Sequence, residues 1–173
     1  RYIVSKGCAL KTMINLRKAK VADVENIHAL INHYAQKGLM LARSRSMLYE
    51  FLREFIVVEE NGVFLGTGGL HIIWEDLAEI RALAVVEQAK GKGIGRQIVG
   101  KLIEEAGKLG IPRVFALTYQ KDFFIKCGFK EIPKETLSTK VWKECINCPK
   151  FPNCDEIAVI LETNSDVLNE WAI

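Results

Sequence analysis

The chain has 173 residues, 49% hydrophobic and 26% charged, a balance that supports a single globular domain with a packed core. Its formal net charge of +3 is too small to imply nucleic acid as a partner, and no apolar run approaches the ~20 residues of a membrane helix. The N-terminus lacks the apolar stretch and small-residue cleavage site of a signal peptide, so a soluble cytoplasmic protein with reduced thiols is expected.

Residues 1–12 show no clear period, and Met13 reads like a true start. We therefore expect a non-native or disordered leader at 1–12, a domain over 13–162 and a tail at 163–173. Ile14 to Ala19 alternates like a short strand. Asp23 is placed to cap or charge the first turn of the next segment, Val21 to Tyr34, where Val24, Ile27, Ala29, Leu30, Ile31 and Tyr34 form a helical stripe that Gly38 ends. Met47 to Phe55 reads as a second short helix. Phe55 to Glu60 is a β-branched strand, and Asn61-Gly62 is a hairpin turn. Phe64 to Trp74 supplies the next strand, with glycines that suggest a bulge or a close backbone approach. Ala78 to Val86 is a long strand, expected to be buried on both faces after Arg81. Ile94 to Leu109 is an amphipathic helix stopped by Gly110 and Pro112. Val114 to Thr118, a short helix ending at Gly128, and strands near Phe129–Ile132 and Asp155–Leu161 complete the chain. Strands and helices interleave, so an α/β or α+β sheet is expected.

The stretch "VVEQAKGKGIGRQIVG", Val85 to Gly100, lies between a strand and that amphipathic helix. Free N–H groups at a helix N-terminus make an anion site, and Lys90, Lys92 and Arg96 add positive charge. Two phosphate motifs fail on spacing. A P-loop needs Ser or Thr after Gly-Lys, but Gly91-Lys92 is followed by Gly93. The dinucleotide fingerprint needs G-x-G-x-x-G, but Gly91, Gly93 and Gly95 run as G-x-G-x-G. What remains is Q-x-x-G-x-G, from Gln88 to Gly93, preceded by Leu83-Ala84-Val85 on a strand.

This arrangement resembles the acetyl-CoA signature of the GNAT N-acetyltransferases, and by element order the resemblance covers Ile14 to Leu161. It implies a GNAT fold, a central mixed, mostly antiparallel sheet flanked by helices. It also implies acetyl-CoA as co-substrate. The pyrophosphate would sit over the loop of Gln88, Lys90, Gly91, Lys92, Gly93, Ile94, Gly95 and Arg96, and the pantetheine arm along Leu83, Ala84 and Val85. Glu79 stands on the signature strand where several members keep their general base, because a desolvated carboxyl has a raised pKa. Many members carry a Tyr four residues before the Gly of the "GF" pair, as acid for the leaving thiolate. Here that position is Phe124, on the cofactor side, and Tyr119 is the nearest substitute.

The stretch "GLMLARSRSMLYEFL", Gly38 to Leu52, together with "AEIRALAV" and "FALTYQ", is similar to the acetyltransferase domain of N-acetylglutamate synthases. The similarity implies a short stand-alone amino-acid N-acetyltransferase acting on glutamate in arginine biosynthesis. Arg43, Arg45 and Arg81 are then the carboxylate-binding candidates, since a guanidinium fork holds a carboxylate bidentately. The acceptor is a small-molecule amine, with no nucleic acid or membrane partner, and a homodimer is a possible assembly. The alternatives are acetylation of another small amine or a protein amine, or a non-catalytic acyl-CoA-binding regulator.

Cys145, Cys148 and Cys154 have a spacing that suggests structural zinc, but four ligands are needed, and Cys8 or Cys127 would have to approach. A cysteine-bearing turn is the favoured account, with no metal assigned. His28, His33 and His71 form no metal spacing.

Overall fold

Among the described residues, seven strands form one mixed sheet in the order β1-β2-β3-β4-β5-β7-β6. The computed structural model describes residues 13–137, 139–143, 145–151 and 153–163. The expected leader at 1–12 and nearly all of the expected tail lie outside them. β1 (Ile14–Lys18), β2 (Phe55–Glu60), β3 (Val63–Trp74) and β4 (Leu77–Val85) make an antiparallel meander. β5 (Arg113–Thr118) joins β4 in parallel, and β7 (Ile157–Glu162) lies antiparallel between β5 and β6 (Lys130–Ile132). The mixed, mostly antiparallel sheet of the expectation is therefore what the chain builds.

Side chains alternate across a strand, so β2 feeds two cores. Phe55 and Val57 pack with Val24, Ile27 and Ile31 of α1 (Val24–Gln36) and Leu48 of α2 (Arg45–Glu50). Ile56 and Val58 face the other way, onto Ile98, Leu102 and Ile103 of α3 (Ile94–Lys108). Each of these fully buried side chains contributes roughly 1.5–3 kcal/mol. The α1-side face of β5 and β7 is covered by single turns at Leu137 and Val141, which pack on Phe115, Ala158 and Ile160. α4 (Lys121–Lys126) abuts the β6–β7 end on the α3 side.

The glycines of β3 serve both expected purposes. A Cβ on Gly68 would stand 2.7 Å from Ile98 Cγ2, so its absence lets α3 lie close on the sheet. The register between β3 and β4 also slips beside Gly68, where Thr67 faces Ala84 but Gly69 faces Arg81.

Asp23 serves the turn that opens the α1 segment rather than α1 itself: its carboxylate accepts the Lys20 N–H at 2.7 Å, as in a capping box, and both ends of the Arg17 fork at 2.7 and 2.9 Å. Two local expectations need correction. The second helix starts earlier and is shorter than Met47 to Phe55, because Ser44 Oγ accepts the Met47 N–H and sets the start at Arg45. A separate turn at Leu52–Glu54 then leads into β2. Finally, β4 is most buried before Arg81, at Leu77, Ala78 and Ile80, and only Ala84 is buried after it. The reason is that β5 leaves it there.

Candidate active site

β4 and β5 are paired only at Ala78–Val114 and Glu79–Phe115. β5 continues along β7 to Thr118, so beyond Glu79 the two strands part. Among the described residues, the edge of β4 from Arg81 to Val85 then has no strand beside it on that side. On its other side Gly68 opposes both Ala82 and Leu83, a bulge, and Ala82 has φ +52°. A residue with a Cβ rarely adopts that conformation, and such outliers gather at functional sites. The parted strands open a cleft of about 1590 Å³. That exceeds the ~300–1,000 Å³ of an ordinary small-ligand pocket and leaves room for a long co-substrate together with an acceptor.

One end of the cleft is the glycine loop. Gly91 and Gly93 both have φ +78°, and no atom lies within 4 Å of where a Cβ would stand on either, so the backbone there is open to a ligand. Gly93 begins α3 without any side-chain cap and with no acidic residue in the first turn. The first-turn amides therefore keep their positive partial charge for an anion. Lys90, Gly91, Gly93, Ile94, Gly95 and Arg96 line the cleft, and so do Leu83, Ala84 and Val85. Gln88 and Lys92 are exposed and do not line it. Arg96 Nη1 donates to the Lys126 carbonyl at 2.9 Å, which ties the start of α3 to the end of α4.

At the point where the strands part stands Glu79. Arg81 Nε donates to its Oε2 at 2.7 Å. Burial pushes the Glu79 carboxyl up from the ordinary carboxylate range, while Arg81, His71 and Arg43 pull it back. His71 is its cross-strand neighbour on β3 and is itself held at 2.8 Å from Glu54. Arg43 and Arg81 line the cleft, but Arg45 does not. Arg45 is forked onto Glu25 at 2.7 and 2.9 Å on the surface.

Tyr119 lines the cleft at the end of β5; its hydroxyl donates to Asp155 at 2.6 Å and accepts from the Lys150 ammonium. Phe124 also lines the cleft but is buried, edge-on to Phe123 and Phe129. It has no hydroxyl to offer.

Sequence reasoning missed several participants. Asn32 clamps the backbone of Arg43 from α1, donating to its carbonyl at 2.9 Å and accepting its N–H at 3.2 Å. It is one of six polar residues in the amphipathic α1, so nothing in the sequence marks it out. Tyr34, read as core, donates to the Val85 carbonyl at 2.6 Å, and Lys90 lies 4.5 Å over its ring. Glu156 lines the cleft as well, its carboxyl pushed up by burial. Cys145, Cys148 and Cys154 are free thiols between β6 and β7, all on the cleft wall, Cys145 opening the short turn Cys145–Asn147. Among the described residues, no three His, Cys, Asp or Glu side chains are grouped to hold a metal ion, and no helix is long and apolar enough to cross a membrane.

The acetyltransferase (GNAT) family pattern matches residues 24–129. An uncharacterized N-acetyltransferase of Chlorobaculum tepidum is 41% identical over 145 residues, which is 84% of this chain and 94% of that protein. An amino-acid acetyltransferase of Mycobacterium tuberculosis is 39% identical over 132 residues, 75% of each chain. Among solved structures, the N-acetylglutamate synthase of Neisseria gonorrhoeae, complexed with coenzyme A and N-acetyl-glutamate, superposes with a TM-score of 0.81 at 27% identity. The match covers 89% of this chain but 36% of that one. A Mycobacterium tuberculosis protein solved in complex with CoA superposes at 0.76 with 34% identity, over 86% of this chain and 98% of its own. Parted strands, bulge, glycine loop and these relatives agree: the chain belongs to the GNAT acetyltransferase family and is an acyltransferase.

Proposed function

We propose that the protein transfers the acetyl group of acetyl-CoA to the α-amine of an acidic amino acid, L-glutamate, the acetylation that opens arginine biosynthesis. The observation that carries this is the Glu79–Arg81 pair at the parting of β4 and β5, with Arg43 beside it. A carboxyl of raised pKa and two guanidinium groups in one cleft suit an acceptor that must lose a proton and brings two carboxylates.

The bound thioester supplies the acetyl group and a thiol leaving group. Around it, the edge of Leu83, Ala84 and Val85, beside which no described strand lies, offers backbone hydrogen bonds to an amide-rich arm, the Val85 carbonyl already accepting from Tyr34. The amides of Gly91, Gly93, Ile94 and Gly95, with Lys90 and Arg96 nearby, suit a pyrophosphate. Glu79 takes the ammonium proton, directly or through water, and so provides the neutral amine. Arg81 and Arg43 hold the acceptor carboxylates. Tyr119, kept in place by Asp155 and Lys150, protonates the departing thiolate. Arg45, engaged by Glu25, has no part in this arrangement. The support from relatives is that several are named amino-acid acetyltransferases and that one structural neighbour was solved with coenzyme A and N-acetyl-glutamate.

Thiol release from acetyl-CoA, followed against acidic and neutral amino acids, polyamines and peptides, tests the proposal. Release dependent on L-glutamate is expected. Preference for a polyamine or a peptide would replace the acceptor, and no release with any amine would leave an acyl-CoA-binding regulator.

A further inference from the structure

Three of the chain's five cysteines fall within ten residues, Cys145 to Cys154, and acetyl transfer uses none of them. All three thiols are free, partly exposed and on the cleft wall. The Cys148 N–H donates to the Cys145 carbonyl at 2.9 Å, so the two residues close one tight turn. Such a turn holds its end Cα atoms within ~7 Å, and a disulfide spans ~4.4–6.8 Å. Among the described residues between β6 and β7 the chain makes only short turns, Cys145–Asn147 one of them, and no α-helix or strand that a new bond would have to break.

We propose that Cys145 and Cys148 are a reversible thiol–disulfide site on the cleft wall beside Glu79 and Arg81, oxidised by low-molecular-weight disulfides. The Cys148 thiolate attacks one sulfur of the small disulfide, forming a mixed disulfide and expelling one thiolate. The Cys145 thiolate then attacks the Cys148 sulfur, and the second small thiolate leaves. Two protein thiols are oxidised by two electrons and the small disulfide is reduced to two thiols.

The surroundings of Cys145 set the pace of the second step. Glu79 and Arg81 of β4 face it, with Cys148 and Cys154 of its own segment. Burial first, and then the Glu79 carboxylate, push its thiol up to about 11. Little Cys145 thiolate exists at neutral pH, so ring closure is slow there and accelerates as pH rises. Cys127 is buried in the α3-side core and serves as an internal control.

The test incubates the reduced full chain with oxidised glutathione at several pH values, quenches with acid and an alkylating reagent, and maps peptides without reduction. The expected result is a Cys145–Cys148 crosslink that forms faster at higher pH and is reversed by dithiothreitol, with Cys127 unmodified. Cys145→Ser should stop at a glutathione adduct on Cys148, and Cys148→Ser should give no crosslink. If either variant fails to fold, the wild-type map decides alone. A crosslink between other cysteines, both thiols still alkylated after oxidation, or stoichiometric zinc or iron in protein purified without chelators would each overturn the proposal. None of these readouts depends on acetyl transfer.

Discussion

Arg81 Nε donates to Glu79 Oε2 at 2.7 Å from two positions along the same strand, and the two side chains are only 10% and 12% exposed. A buried carboxyl so paired is held between opposing forces. Burial favours its neutral form, and the guanidinium beside it favours the charged one.

Glu79→Gln is expected to lower turnover roughly 10²- to 10⁴-fold, the usual worth of a positioned base, with the KM for acetyl-CoA little changed. The sign of the pH dependence follows from the raised carboxyl: the basic form accumulates only above the ordinary glutamate range. Wild-type kcat/KM should therefore rise with pH through that elevated value, and the variant should lose this limb. Unchanged turnover would remove Glu79 from the mechanism.

Arg81→Met removes the strongest charge opposing the burial of Glu79. The rising limb should move to still higher pH, and kcat/KM should fall more for an acidic acceptor than for a neutral one. Arg45→Ala supplies the contrast, since Arg45 is forked onto Glu25 at the surface, and its acceptor KM should match wild type. An Arg45 effect equal to that of Arg81 would contradict the assignment.

Gly93→Ala places a Cβ on a residue at φ +78°, at a local cost of about 1–2 kcal/mol. A shift of the loop is the cheapest relief, so the KM for acetyl-CoA should rise about tenfold, the equivalent of ~1.4 kcal/mol. The acceptor KM should hold. Initial rates with each substrate varied in turn separate the two.

Asp23→Asn tests the scaffold. The Arg17 fork holds the Asp23 carboxyl below its usual range. A lowered folded-state pKa gives stability that is present above the unfolded value and lost as pH falls through the folded one. The variant should be less stable at neutral pH by about 1–2 kcal/mol, discounted because Arg17 is 25% exposed. In thermal melts the gap between the two proteins should narrow as the solution is acidified.

The order of elements was legible because the pattern changes cleanly along the chain, from the β-branched run at Phe55–Glu60 to the helical stripe of Ile94–Lys108. The glycine loop was legible because Gly91 and Gly93 carry its backbone conformation in their identity. The early burial of β4 was not, since it depends on where β5 leaves it, and no local pattern encodes that parting. Arg45 and Arg43 look alike in sequence. They are separated only by Glu25 on one and the Asn32 clamp on the other, contacts made across the fold. The roles of Tyr34 and of the turns at Cys145–Asn147 were hidden for the same reason.

The most direct measurement offers the enzyme acetyl-CoA and an equimolar mixture of amino acids, and identifies the acetylated products by mass spectrometry. Competition in one vessel reports the ratios of kcat/KM. N-acetyl-L-glutamate should be the dominant product with wild type and nearly absent with Glu79→Gln. Another acetylated amino acid in first place, or no acetylated amino acid at all, would contradict the proposed acceptor and the role of Glu79.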